Sequence, residues 1–337
     1  MKTTHQLLFA ISLVSLLALG TAVAAMNFRS WGEPINAELI PGTSVNLNTS
    51  FNDGCPSQAP DGLSLFIASN RTGGLGGQDI WVATRASVDT PWGDPIHLPS
   101  PVNSDRDDFC PTPVRGHGLF FVSRRYIPDV SCGTNNGPAT DTDIYFTRYE
   151  VRKGSVDWAN PGTWAQPQNV GCQVNSPFDE WSPSFFESDD GQAYLYFAST
   201  RPGGPGPTND ADIYFSVDFG PAQFAPGLNT EFNDHRPNVR RDGREIVFDS
   251  DRPGNLGPAG TFDIWSATRS DILGSWDTAV HLPFPINTAG NETRASLSWD
   301  GTTMYFGSNR PTGSPGGGSE GAADVYVVTR SRRKGGE

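Results

Sequence analysis

Residues 70–81 read Asn-Arg-Thr-Gly-Gly-Leu-Gly-Gly-Gln-Asp-Ile-Trp, a glycine-rich segment between two apolar runs. A phosphate-binding loop of this composition leads from a strand into a helix, whose first N–H groups hold the phosphate. Here the segment leads from one strand-like run, residues 63–68, into another that begins at Asp79. Related segments begin at Arg201 and Arg252, and no Lys-Ser or Lys-Thr follows them. We therefore interpret residues 70–81 as a structural turn that the chain repeats.

This turn belongs to a unit that occurs five times. Each unit opens with an apolar residue, Asn, and Ser or Thr, and reaches an acid four residues after the Ser or Thr; the acids are Asp53, Asp108, Glu180, Asp234 and Glu292. A glycine turn and an apolar run follow, and the run ends in Ser-x-Arg, at Arg71, Arg125, Arg201, Arg252 and Arg310. The glycine-rich loop then leads to Asp-Ile/Val-aromatic, at Asp79, Asp143, Asp212, Asp263 and Asp324. Asp-Gly between apolar runs favours a hairpin, and a fourth short run completes the unit. Such a regular unit predicts one four-stranded antiparallel blade per repeat.

The two ends of the chain complement each other. The fifth unit stops after residues 324–330 without a fourth strand, whereas residues 30–35 match residues 91–96 of the first unit. The N-terminal strand is therefore expected to complete the last blade, which removes exposed sheet edges. The predicted fold is all-β: a single five-bladed β-propeller over residues 26–331, followed by a disordered basic tail over 332–337.

The repeats resemble the WD40-like PD40 repeat of TolB and of many exported bacterial propellers, on the strength of Ser-Asn-Arg-Thr-Gly-Gly-Leu-Gly-Gly-Gln-Asp-Ile-Trp at residues 69–81 and of the Asp-Gly turns. The resemblance covers essentially the whole mature chain. It implies the fold more than an activity, because propellers of this kind include translocation partners, envelope scaffolds, peptidase-linked domains and some polysaccharide lyases. We expect no separate N-terminal α/β domain like that of TolB, so the role of TolB itself is not implied.

The first 25 residues have the layout of a secretory signal peptide: Lys2, an apolar run over 7–19, and small residues at 22–25. The run is shorter than the roughly 20 residues that span a bilayer. We therefore expect a secreted or periplasmic protein without a membrane span.

The net charge of −13 argues against nucleic acid as a partner, because phosphate binding requires a basic surface. We expect a monomer.

Four cysteines in an exported protein suggest two disulfides. Cys132 and Cys172 fall in loops expected on the same side of the propeller, so they are the preferred pair. Cys55 and Cys110 occupy equivalent places in adjacent units. Bridging them requires Cα atoms within about 7 Å, a condition that neighbouring strands need not meet, so this connectivity stays open.

The five repeated acids should form a ring at the mouth of the central channel. One interpretation is functional: Asp108, Glu180, Asp234 and Glu292 as catalytic carboxylates, or a calcium site, since hard cations prefer oxygen ligands. The favoured interpretation is structural, because each unit also repeats the Ser-x-Arg arginine. The acids would then form a hydrogen-bonded lattice that ties neighbouring blades together.

Function is better sought where the repeat varies. The residue after the ring acid is Gly54, Phe109, Trp181, His235 or Thr293, and the next is Cys55, Cys110, Ser182, Arg236 or Arg294. Aromatic side chains beside acids and arginines suit a sugar or a peptide. Plain packing between blades is the alternative for the aromatic residues. The candidate binding residues are Asp53, Phe109, Glu180, Trp181, His235, Arg236 and Arg294.

The favoured hypothesis is a non-catalytic scaffold that binds a protein or a glycan partner at the channel mouth. The alternative is a carbohydrate-active hydrolase or lyase with carboxylates from different blades at the channel. The two can be told apart by symmetry. Catalytic acids should differ in their surroundings from their counterparts in other units, whereas lattice acids should share one type of arginine partner.

Overall fold

The computed structural model describes residues 28–125, 132, 141–150, 156–207 and 209–333. Within these ranges the chain forms five four-stranded antiparallel sheets, as the repeats predict. Blade one comprises β2 (Asp53–Gln58), β3 (Ser64–Ser69), β4 (Asp79–Thr84) and β5 (Ile96–His97). Blade two comprises β6 (Asp108–Val114), β7 (Gly118–Ser123), β8 (Asp143–Arg148) and β9 (Gln168–Asn169). Blade three comprises β10 (Glu180–Glu187), β11 (Ala193–Ser199), β12 (Asp212–Val217) and β13 (Gln223–Phe224). Blade four comprises β14 (Asp234–Val239), β15 (Glu245–Ser250), β16 (Asp263–Thr268) and β17 (Val280–His281). Blade five comprises β18 (Glu292–Leu297), β19 (Thr303–Ser308), β20 (Asp324–Thr329) and the N-terminal strand β1 (Ile35–Asn36).

The N-terminal segment closes the ring, as expected. Strand β1 pairs antiparallel with β20, with Ile35 opposite Val327. Nearby, the Arg330 guanidinium lies 4.1 Å from the Trp31 ring centroid. The expected signal peptide lies outside the described residues. Arg332, assigned above to the tail, forms an antiparallel bridge with Phe28.

Apolar faces hold adjacent blades together. The second strand of every blade places a large side chain at one equivalent, fully buried position: Ile67, Phe121, Phe197, Phe248 and Phe306. One core cluster joins Ile144 of blade two to Phe197 and Tyr214 of blade three. Burial of each such side chain contributes about 1.5 to 3 kcal/mol. Apolar cores therefore lie between the blades.

Helical structure is confined to 3-10 turns within the described ranges. These turns are Ala37–Leu39, Arg115–His117 and Pro161–Thr163. No helix in the described part of the chain has the length and apolar character needed to cross a membrane. The predicted hairpin glycines hold positive φ angles in four blades, for example 74° at Gly62. In blade two the turn shifts by one or two residues: Gly116 and His117 hold positive φ, and Gly118 begins β7.

Each innermost strand contains a β-bulge near its start. The register of each first strand shifts just after the residue that follows the ring acid. The next residue has a positive φ in all five blades: Cys55, Cys110, Ser182, Arg236 and Arg294, with φ between 47° and 60°. A bulge re-aims a side chain, and here all five residues border one cavity of about 30 Å³ on the axis. We call these five residues the channel ring.

Candidate functional site

The five ring acids are all buried and paired alike. Asp53 lies 2.6 Å from Arg71, Asp108 lies 2.6 Å from Arg125, and Glu180 lies 2.9 Å from Arg201. Asp234 pairs with Arg252, and Glu292 lies 3.7 Å from Arg310. Each acid also accepts hydrogen bonds from the backbone N–H and the hydroxyl of the Ser or Thr four residues earlier. This uniform pairing favours the structural interpretation over a catalytic role for Asp108, Glu180, Asp234 and Glu292, and over a binding role for Asp53 and Glu180.

The acid–arginine pairs were expected to tie neighbouring blades together, and they do not. Each acid–arginine pair lies within one blade, not between two. The link between neighbouring blades is made instead by the repeated asparagines: Asn103, at the entrance to blade two, accepts a hydrogen bond from the Ile80 N–H of blade one and donates to its carbonyl. Asn48, Asn175, Asn229 and Asn287 make equivalent contacts. Within the described ranges there is no cluster of three or more His, Cys, Asp or Glu residues that could hold the suggested calcium ion.

Two partly exposed carboxylates lie outside this lattice, and one of them, Asp107, lines a pocket. Asp107 and Asp179 directly precede the ring acids of blades two and three, where the other units have Asn. One carboxylate oxygen of each residue takes the place of the asparagine side-chain oxygen as a hydrogen-bond acceptor. Asp107 accepts from the Gln78 N–H, and Asp179 accepts from the Thr142 N–H. The Asp107 and Asp179 side chains remain 35% and 30% exposed. Both approach Arg124, at 3.3 Å and 3.9 Å.

A pocket of about 230 Å³ opens beside these groups. We call it the mouth pocket; its lining residues are Gln78, Asp107, Phe109, Cys110, Arg124, Trp181, Ser182, Arg236 and Arg294. Four predicted binding residues therefore meet in one place: Phe109, Trp181, Arg236 and Arg294. The two aromatic side chains are partly exposed. Gly54 leaves room for Arg294, because a Cβ there would lie 2.7 Å from its Nη1.

His235 lies behind the mouth pocket instead of lining it. Its ring is 5.4 Å from the Trp181 ring and stacks on Phe262 at 4.9 Å between centroids. Burial, together with the nearby Arg236 and Arg294, lowers the pKa of His235 well below its usual value. The imidazole is therefore neutral, and its contacts with Trp181 and Arg236 suit support of the pocket.

Asp249 is a functional candidate that the sequence interpretation missed. Its carboxylate is fully buried, accepts from Arg236 Nη1 at 2.5 Å, and accepts from the backbone N–H of Arg294 at 2.9 Å. Burial raises its pKa, and Arg236 opposes that rise. The signal was present in the repeat, since the equivalent residues are Ala68, Val122, Ala198 and Gly307. Blade four therefore has an aspartate where the other blades have an apolar or small residue. This aspartate, on the second strand, binds the channel-ring residue of the same blade, Arg236.

Two disulfides are present in the described part of the chain, and one of them reaches the mouth pocket through Cys110. Cys55 and Cys110 are bridged, with a Cα–Cα distance of 4.8 Å, so neighbouring inner strands do meet the geometric condition that was in doubt. The bulge explains this, because it turns both side chains toward the axis. The hydroxyl of Ser182 donates to Cys110 Sγ at 3.2 Å. The preferred pair Cys132–Cys172 is also present, with a Cα–Cα distance of 5.0 Å.

A larger cavity of about 710 Å³ lies at the opposite mouth. One of its arginines, Arg240, pairs with Asp242 at 2.7 Å and with Glu245, which also binds Arg330. Trp299 lies between Arg115 and Arg241, at 4.5 Å and 5.0 Å from the two guanidinium carbons. The mouth pocket is the better candidate site despite its smaller volume, because it brings together four of the predicted binding residues beside the partly exposed carboxylate of Asp107.

The fold is shared with several solved structures. No protein-family model and no curated protein matches the chain. A thermostable family-43 glycoside hydrolase is similar in structure, with a TM-score of 0.52, 13% identity, and coverage of 88% of this chain and 94% of that chain. An α-L-arabinofuranosidase from Lactobacillus brevis gives 0.53, 11%, 87% and 96%. An endo-arabinase from Bacteroides thetaiotaomicron gives 0.50, 15%, 91% and 99%. At such identities the likeness shows a shared fold.

These comparisons correct the favoured functional hypothesis. The sequence favours a non-catalytic scaffold, yet the three solved structures named above, which share the fold over most of their length, are carbohydrate-cleaving enzymes. The hypothesis of a non-catalytic scaffold is therefore wrong, and the comparisons favour the alternative of a carbohydrate-active enzyme.

Proposed function

We propose that the protein is a carbohydrate-active enzyme that cleaves a glycan at the mouth pocket. The observation that carries this proposal is the pair Asp107 and Asp179: two partly exposed carboxylates from adjacent blades, outside the ion-pair lattice, that share Arg124. Phe109 and Trp181 supply the apolar faces on which a sugar ring packs. The glycoside hydrolases that share the fold support the same class of reaction.

Hydrolysis of a glycosidic bond requires two carboxyl groups with different roles. One donates a proton to the departing glycosidic oxygen as the bond from the anomeric carbon breaks. The other takes a proton from the attacking water as the new carbon–oxygen bond forms. We assign these roles to Asp107 and Asp179 as a pair. Arg124, which contacts both, orients them.

A lyase is the second candidate, and one observation favours it. In an elimination, a base takes the proton from the carbon next to a sugar carboxylate, a role that the Asp107 carboxylate could fill, and the departing oxygen takes a proton from solvent. A neutralising cation beside the sugar carboxylate eases the step. Arg236 and Arg294 at the floor of the pocket are suited to this role. The carbon–oxygen bond then breaks without water and leaves an unsaturated sugar, so the products of the two reactions differ.

The test is digestion of arabinan, galactan, xylan and pectic polysaccharides, with reducing ends and product masses as readouts. Hydrolysis adds one water per bond cleaved, whereas elimination adds none. We expect Asp107→Asn and Asp179→Asn each to lower the rate by about 10²- to 10⁴-fold, the usual contribution of proton transfer. Asp61→Asn is the matched control, because Asp61 is an exposed hairpin acid away from the mouth pocket. Cleavage of none of these glycans by the wild type, or full activity in both variants, would contradict the proposal.

Three further expectations belong with this function. We propose that the enzyme is exported, since the two disulfides suit an oxidising compartment. We propose a monomer, because the chain closes its own ring through β1. We also propose that the repeats are of the PD40 type, on the motifs quoted above.

A further inference from the structure

The floor of the mouth pocket holds more positive than negative charge. Arg236 and Arg294 both border the pocket and the axial cavity beneath it. The carboxylate in contact with this pair is that of Asp249, which the Arg236 side chain binds directly. Arg294 meets the same carboxylate through its backbone N–H only. The cluster of two guanidinium groups and one carboxylate therefore has a net charge of about +1 in a protein whose overall charge is −13.

The side chain of Arg294 has a hydrogen-bond donor that nothing in the described ranges satisfies. Its Nε is buried and has no hydrogen-bond partner among the described residues. A buried donor without an acceptor is costly, so native proteins rarely leave one unless something else satisfies it. Burial and the neighbouring Arg236 lower the pKa of Arg294 to about 9. An anion placed beside both guanidinium groups would give Arg294 an acceptor and would favour its charged form.

The rest of the pocket restricts the kind of anion. One uncompensated positive charge matches one negative charge, and a guanidinium group pairs well with the planar oxygens of a carboxylate. Phe109 and Trp181 on the wall suit a ring with apolar faces, and Ser182 and Gln78 offer neutral polar groups. A carboxylate on a sugar ring fits all of these features.

We infer that Arg236 and Arg294 form a subsite for the carboxylate of an acidic sugar, so that the glycan cleaved at the mouth pocket contains uronic acid residues. Asp249 is a positioning residue that holds Arg236 and the backbone of Arg294 in place. This inference rests on the proposed function for the identity of the ligand as a glycan, but the binding step does not require cleavage.

The test is calorimetric titration of the Asp179→Asn variant, chosen so that the ligand is not consumed. The probes are a trigalacturonate and the same trisaccharide with its carboxyl groups reduced to alcohols. We expect the acidic form to bind at least about 10-fold more tightly, as charged hydrogen bonds imply. Equal binding of the two forms would overturn the inference.

Variants then locate the subsite. Adding Arg294→Gln should abolish the preference for the acidic trisaccharide, and Arg294→Lys should weaken it, since lysine keeps the charge but loses the fork. Gly54→Ala should also abolish the preference, because the added Cβ displaces the guanidinium group of Arg294 without altering any charge. The matched control is Arg241→Gln at the opposite mouth, which removes one positive charge and should leave the preference intact. A preference that survives both Arg294→Gln and Gly54→Ala would overturn the assignment.

Other carboxylates are tested in parallel. Acetate should compete only weakly, because it lacks the ring that packs on Phe109 and Trp181. A tripeptide with a free C-terminus that bound more tightly than trigalacturonate would overturn the choice of a sugar. Selective binding of the acidic trisaccharide without cleavage of any glycan would refute the enzyme and keep the subsite. Cleavage of neutral glycans without this selectivity would refute the subsite and keep the enzyme.

Discussion

Asp107 and Asp108 are neighbours in the chain but lie in opposite environments. The Asp108 carboxylate is completely buried and lies 2.6 Å from Arg125, whereas the Asp107 side chain is 35% exposed in the mouth pocket. Strand geometry separates them, because consecutive side chains of an extended segment point to opposite sides. One acid therefore holds the blade together, and the next is available to a ligand.

This contrast predicts opposite effects of the same substitution. Asp108→Asn leaves Arg125 without its carboxylate in a buried position, which should lower the free energy of unfolding by about 3 to 5 kcal/mol. Asp107→Asn keeps the acceptor for the Gln78 N–H and should change it by less than about 1 kcal/mol. Urea denaturation of both variants measures the difference. Equal losses in the two variants would contradict this division of roles between Asp107 and Asp108.

The pH dependence of stability should reflect Asp212. Burial, followed by repulsion from Asp234 and Asp210, raises its pKa from 3.8 to about 7. A carboxyl group whose pKa is higher in the folded state binds its proton more tightly there, so its contribution to stability is complete below about pH 4 and is lost as the pH rises through 7. Asp212→Asn should therefore raise the melting temperature at pH 8 relative to the wild type, with a much smaller effect near pH 4.

Thermal unfolding between pH 4 and pH 8 measures this effect, with Asp61→Asn as the control. A constant difference between Asp212→Asn and the wild type over the whole range would contradict the assignment of the proton to Asp212.

The ring closure should depend on Asn36. Its amide donates to Asp324 Oδ2 at 3.0 Å and accepts from Asn48 at 2.8 Å, and the residue is 1% exposed. Asn36→Ala leaves buried polar partners unsatisfied, so we expect a loss of about 1 to 3 kcal/mol in unfolding free energy. Faster hydrogen exchange of the β20 amides should accompany it. The exposed Asn46→Ala is the control, and protection of β20 equal to that of the wild type would argue against closure by this segment.

The Cys55–Cys110 bridge should stabilise the propeller by joining two adjacent blades. Its loop spans 55 residues, so replacing both cysteines with serine should cost about 2 to 4 kcal/mol. Guanidinium denaturation measures the loss, and the double serine variant at Cys132 and Cys172 provides the comparison for a bridge with a 40-residue separation. Unchanged stability without the Cys55–Cys110 bridge would contradict this role.

Most of the architecture was predictable because it is local and repeated. The Asp-Gly turns, the Ser-x-Arg ends and the match between residues 30–35 and 91–96 each report on backbone geometry that nearby residues impose, and five copies confirm one another. The pairing of Glu180 with Arg201 is of this kind, since both belong to the repeat. The role of Asp249 is not, because its partners Arg236 and Arg294 occupy a position that varies between the units.

The sequence by itself determined the blade, its fivefold repetition and its closure by the N-terminal strand. The tertiary structure decided which carboxylates are available and whether Cys55 and Cys110 meet. Those properties depend on where side chains from different blades converge, and the bulge at Cys55, Cys110 and Arg294 directs them to the axis. Hydrogen bonds within blades one to four join segments that follow one another in the chain, and the closure of blade five by β1 repeats the same motif, whereas a site on the axis depends on the packing of five separate sheets.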